Sequence, residues 1–230
     1  MPNFNYENPT NALGNPMESP EDHMFKMVLE IVVSEGYSNL SFGKLKKKGV
    51  EEDLLKSYKN KKNVFHAAFE DWMERIVCSY EKICEQAREY IISGNRNKEE
   101  GWRQLERLLY RHIYLCFHPK NRNYVLLTAR ENMIPYEYKV CMTETLSQCF
   151  GEVLTELILD VSEVKNRQMA AMLTCTVCAG IHIFVQQPEY CKKIYESTTR
   201  LEPNYAVIED FLNDCFLRTI AVNTAINKPF

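Results

Sequence analysis

The sequence lacks the common local signatures of catalysis. It has no glycine-rich phosphate loop, no His-Glu-x-x-His helix and no Gly-x-Ser-x-Gly elbow, so nothing in it argues for an enzyme. Alternating strand patterns are absent, as is any repeat at a fixed period, which leaves an all-α chain as the expectation. No apolar run approaches the ~20 residues that span a bilayer, and no charged-then-apolar leader opens the chain. We therefore expect a soluble, cytoplasmic protein with no membrane partner. Net charge is only −3 over 230 residues, so no global field draws the chain to nucleic acid, and any DNA contact needs a local patch. Nine cysteines without a secretory signal are expected as reduced thiols.

What is present is helical periodicity, interrupted by a few punctuating residues. Residues 1–20 are rich in Asn and Pro (Pro2, Pro9, Pro16 and Pro20) and read as a flexible arm, with no Lys or Arg before Lys26 to enter a minor groove. Met24, Phe25, Val28, Ile31 and Val32 then recur at helical spacing, with Gly36 where a left-handed cap belongs. Ser41 is placed to cap a short helix carrying Phe42 and Leu45, which Gly49 ends. A third short helix is expected from about Glu51, and Asn60 opens a long one with Val64, Phe65, Ala68, Trp72, Ile76 and Tyr80 on one side. Further helices are expected near Glu99–Phe117, Arg122–Asn132, Tyr136–Leu159, Val164–Gln186 and Tyr205–Thr224. Pro119, Pro135, Asp160-Val161-Ser162, Pro188 and Pro203 are the breaks.

Gly36-Tyr37, Ser41, Leu45, Gly49-Val50 and Tyr58-x-Asn60-Lys61-x-x-Val64 occur in the order seen in one known family. The stretch Met24–Trp72 resembles the N-terminal DNA-binding domain of the tetracycline-repressor (TetR) family, and Arg130-Glu131 resembles a recurring Arg-Glu of that family's body. The resemblance implies a helix-turn-helix head (residues 21–62) followed by a larger helical ligand-binding and dimerisation bundle (residues 63–230). It implies a DNA-binding transcriptional regulator, in most cases a repressor, controlled by a small hydrophobic or aromatic ligand. The alternative is a dimeric ligand- or protein-binding module of the same fold that has lost specific DNA binding. Between Gly36 and Tyr58 the chain is roughly two residues shorter than the family pattern. A helix turns ~100° per residue, so a deletion re-aims the reading face. The usual opening of the recognition helix is replaced by Glu51, Glu52, Asp53 and Leu54, and its usual Tyr by Lys56 or Ser57.

A basic patch supports DNA binding. Between Lys44 and Lys62 stand eight lysines against three acids, a local charge of +5, and lysine–phosphate contacts release counterions. Ser41, Lys44, Lys46, Lys47, Lys48, Glu51, Glu52, Lys56, Ser57, Tyr58 and Lys61 are the expected DNA-facing residues, Ser41 and Lys61 by resemblance as phosphate grips. An acid can accept from cytosine N4, but three adjacent acids repel phosphate; they equally suit a helix cap that balances the lysines.

For the body, the expected ligand lining is aromatic and weakly polar: Trp102, Tyr110, His112, Tyr114, Cys116, Phe117, Tyr136, Tyr138, Cys141 and Cys149. The same residues at helical spacing also suit a plain core. No cofactor and no metal are assigned. His112 and Cys116 lie one turn apart with His118 nearby, but no second pair at diagnostic spacing stands out, and Cys175-Thr-Val-Cys178 lies inside one helix. The helices near 164–186 and 205–224 are apolar over much of their circumference, which calls for a second partner; by resemblance, that partner is another copy, giving a homodimer.

Overall fold

Ser19 sets the first helix. Its hydroxyl accepts from the Asp22 amide at 3.0 Å, and the Asp22 carboxylate accepts from the Ser19 amide at 3.3 Å, a reciprocal capping box that opens α1 (Pro20–Glu35). Met24, Val28, Ile31 and Val32 form its buried stripe. Gly36 ends it with φ 88° and ψ 156°, an extended conformation open only to glycine, rather than the left-handed cap expected. A single 3-10 turn (Tyr37–Asn39) leads to Ser41, whose hydroxyl accepts from the Lys44 amide and caps α2 (Phe42–Lys47). Gly49, at φ 87°, turns the chain into α3 (Glu52–Ser57). The Asn60 side chain then accepts from the Asn63 amide at 3.0 Å and opens α4 (Lys61–Ser93).

The computed structural model describes residues 19–94, 97–117, 126–128, 133–162, 164, 166–199 and 205–225. Most of the arm, His118, Arg130-Glu131 and most of the helix expected at 122–132 lie outside them. After α4 come α5 (Lys98–Phe117), α6 (Tyr136–Leu146), a π turn (Ser147–Gly151), α7 (Glu152–Val161), α8 (Arg167–Gln186), α9 (Pro188–Thr199) and α10 (Tyr205–Ala225). Among the described residues no strand occurs: the protein is all-α.

The helix expected over Tyr136–Leu159 is thus split by the π turn, whose wider winding re-phases α7 against α6. Pro188, read from sequence as a break, instead begins α9, where its fixed φ and missing N–H cost nothing. α8 begins at Arg167 rather than Val164 because the Asn166 side chain accepts from the Gln168 amide at 2.8 Å.

α4 serves both halves. Val64, Phe65 and Ala68 lie under α1, while Tyr80, Cys84, Ala87 and Tyr90 are buried in the body. The division after residue 62 falls in the first turn of this helix. α7 packs against α4, α5 and α8, and α10 against α5 and α8. Leu105, Leu108, Leu109 and Ile113 of α5 are fully buried, each worth roughly 1.5–3 kcal/mol of apolar burial.

α8 corrects one expectation: its 20 residues are long and apolar enough, by length and composition, to cross a bilayer. One stripe of it (Ala170, Thr174, Val177 and Ile181) is buried, anchored by the Thr174 hydroxyl 2.9 Å from that of Thr155 on α7. The opposite side is open, with Met172 70% and, on α10, Phe211 60% exposed.

Candidate functional site

In the head, most of the lysine patch is already spoken for. Lys44 pairs with Glu35 and Lys48 with Glu30 at 3.4 Å, both acids on α1. Lys46 reaches from α2 to Glu52 on α3 at 2.9 Å, and Lys56 meets Asp53 at 3.1 Å and Glu52 at 3.7 Å. The paired lysines hold the Glu52 carboxyl below its ordinary range, first through the Lys46 hydrogen bond. Counting Glu30 and Glu35 with the three acids of the patch lowers its local charge from +5 to +3. Lys47, Lys59 and Lys62 are exposed and make no ion pair among the described residues.

The other expected DNA-facing residues are divided between contact and scaffold. Glu51 stands exposed before α3 without a side-chain cap bond, and the Ser57 hydroxyl donates to the Leu54 carbonyl at 2.7 Å. Lys61 donates to the Ser38 carbonyl at 3.2 Å and lies 4.9 Å above the Tyr37 ring, so its ammonium pins the 3-10 turn. Tyr58 donates to Glu21 and packs edge-on against Phe25 at 6.4 Å. Burial, then the Glu21 carboxylate, pushes its phenol up to about 12. Tyr58 thereby ties the end of α3 to α1. Asp22 of α1 also takes Arg75 of α4.

In the body, the expected ligand residues do not converge. His112 (2% exposed) and Cys116 (1% exposed) are buried on α5, and Trp102, Tyr110, Tyr114 and Phe117 are half-buried along the same helix. Tyr136 is 76% exposed. Cys149 is half-buried near Cys84, whose thiol is pushed up to about 12 by burial and then by Cys149. Tyr138 and Cys141 line a separate open groove of about 770 Å³ between α4 and α6, with Lys62, Asn63, His66, Phe69, Glu70, Met73, Glu74 and Glu137. Two of its lining rings, Phe69 and Tyr138, lie 5.0 Å apart, and Phe65 packs on Tyr138 at 4.8 Å.

Around His112 the interior is a polar knot inside aromatic walls. The Tyr80 hydroxyl is 2.6 Å from His112 Nδ1, the Cys116 thiol is 3.9 Å from Nε2, and Phe150 stacks on the ring at 4.3 Å. His182 of α8 closes the cluster, its ring 5.4 Å from that of His112. Burial, then the neighbouring His182, drives His112 well below the ordinary histidine range, and burial lifts the Cys116 thiol well above its own. The sequence reading weighed Cys178 only with Cys175 and passed over its helix mate His182. The signal was there: Cys178 and His182 repeat, in reverse order, the one-turn spacing of His112 and Cys116.

No family model matches the chain, and no curated protein does. Solved structures do. One is a TetR-family transcriptional regulator from Bordetella parapertussis 12822, with TM-score 0.56 and 14% identity, covering 89% of this chain and 95% of that one. Another is the fatty acid degradation regulator FadR from Bacillus halodurans, with TM-score 0.50 and 13% identity, covering 88% of this chain and 97% of that one. With a capped α2–turn–α3 head carried on α4 and a helical body behind it, this chain has the fold of a TetR-family transcriptional regulator.

Proposed function

We propose that the protein is a dimeric transcriptional regulator, acting as a repressor, that binds operator DNA through α2 and α3 and releases it when a small hydrophobic or aromatic ligand binds the body. The observation that carries this reading is the head itself. α3 presents exposed Glu52, Asp53, Lys56 and Ser57, is tied to α1 by Tyr58–Glu21 and is flanked by the unpaired Lys47, Lys59 and Lys62. The open apolar side of α8 and α10 supports a second copy, since Met169, Met172, Ile183, Val207 and Phe211 are all exposed there. The groove floored by Phe69 and Tyr138, beside α4, is where an aromatic ligand would bear on the helix that carries the head.

A second reading is supported by the pairing of Lys44, Lys46, Lys48 and Lys56 with acids: a dimer of this fold that binds a ligand or protein and no longer reads DNA. The two separate in a fluorescence-polarisation titration against the upstream DNA of the protein's own gene, at two salt concentrations, with scrambled DNA alongside. If Lys47, Lys59 and Lys62 of both heads each meet a phosphate, log K falls against log salt with a slope of about −5. Tight, salt-steep binding that prefers the upstream fragment establishes the regulator. Equal weak binding to both DNAs, or none, favours the second reading.

A further inference from the structure

We infer that His112 and Cys116 of α5, with Cys178 and His182 of α8, form a binding site for a zinc-type d10 cation that clamps the two helices together. Three ligand atoms are already assembled: one each from His112, Cys116 and His182 lie within 4.8 Å of one another. Tetrahedral zinc with N and S ligands needs ligand–ligand spacings of roughly 3.3–3.8 Å. The His112 Nε2–Cys116 Sγ distance is 3.9 Å, so one side of the site is nearly closed. Among these three the remaining gap asks for about 1 Å of side-chain movement, while Cys178 stands outside the 4.8 Å cluster and has farther to come.

The second shell fits as well. A metal-bound Nε2 leaves the His112 Nδ1 proton to be donated, and the buried Tyr80 oxygen stands 2.6 Å away to accept it. His182 supplies an independent sign of a missing partner: its Nε2 is buried from solvent and makes no hydrogen bond.

Cys178 is the fourth ligand. It precedes His182 by one helical turn, on the same face of α8, and is half-buried against the core. Charge balance favours this set over a three-ligand one. Binding releases one proton from each thiol, and two thiolates, two neutral imidazoles and a divalent cation sum to zero, the only balance this apolar interior tolerates without a counter-ion.

The test uses the full-length protein stripped by chelator and titrated with cobalt(II), whose visible spectrum reports tetrahedral sulfur ligation, followed by zinc competition. The expected result is one ion per chain, with tetrahedral d–d bands and a thiolate charge-transfer band that zinc abolishes. Cys116→Ser and His182→Gln are expected to weaken binding by at least tenfold, while Cys175→Ser, an exposed neighbour, leaves it unchanged. An octahedral spectrum in the parent protein overturns the proposal without any variant. So does affinity that survives Cys116→Ser and His182→Gln in variants whose helicity by circular dichroism matches the parent. The measurement needs no DNA, so its failure and that of the regulatory reading are told apart.

Discussion

Replacing His112 by leucine should remove one source of the protein's loss of stability in acid. His112 is 2% exposed and held neutral, its pKa driven down first by burial and then by His182. The groups facing it are Tyr80, Cys116 and His182, none of which offers a negative charge to stabilise an imidazolium. A histidine whose folded pKa is depressed binds fewer protons in the native than in the unfolded state. Its contribution is therefore constant above the unfolded value of about 6.5 and is lost as pH falls below it. The parent protein therefore loses stability on this account as pH falls below about 6.5. The leucine variant is spared that loss but forfeits the Tyr80–His112 hydrogen bond, worth about 1 kcal/mol at every pH. The variant should thus be about 1 kcal/mol less stable than the parent at pH 7.5, and that gap should shrink as pH falls below about 6.5. Urea unfolding of both proteins in chelator-containing buffers measures this. A stability gap that is the same at pH 7.5 and 5.0 would refute the reasoning.

Other perturbations follow from equally local geometry. Glu52→Gln releases Lys46, while Lys56 keeps Asp53, and should tighten DNA binding, steepening the salt slope by about 0.9 when Lys46 gains a phosphate; unchanged affinity and slope in polarisation titrations would remove α3 from the interface. Phe211→Glu together with Met172→Glu places charge on the open face of α8 and α10 and should yield monomers by light scattering; a persistent dimer would locate the interface elsewhere. A methyl group at Gly101 would lie 2.6 Å from both the Tyr90 hydroxyl and Val161, so Gly101→Ala should cost roughly 1–3 kcal/mol and lower Tm by several degrees in calorimetry. An unaltered Tm would show that the Tyr90–Asp160 hydrogen bond can shift without loss.

The head was legible because its determinants act over three or four residues. Ser41 and Asn60 cap the helices that they precede, and Gly49 turns the chain where its missing side chain permits. What could not be read there was the company its lysines keep. Glu30 and Glu35 sit more than two turns upstream of the patch, and only the docking of α1 against α2 brings them to Lys48 and Lys44. The body shows the same limit. Aromatic spacing located α5 but could not say that Tyr136 faces outward while Tyr138, two residues on, is buried against Phe65 and Phe69. The π turn that re-phases α6 against α7 has no marker of its own in Ser147–Gly151. Cys178 and His182 were visible as a pair, but only α5 and α8 packing side by side gives that pair something to face.

α4 makes the molecule a lever. Its 33 residues extend about 50 Å, with the head gripped at one end through α1 and the body at the other through Tyr80, Cys84 and Tyr90. A tilt of about 5° at the body end displaces the far tip by about 4 Å, and in the proposed dimer the two arms together by about 8 Å. That is close to a quarter of the ~34 Å repeat between successive faces of a DNA duplex. On the proposed regulatory reading, a shift too small to disturb core packing would decide whether two reading helices stay in step.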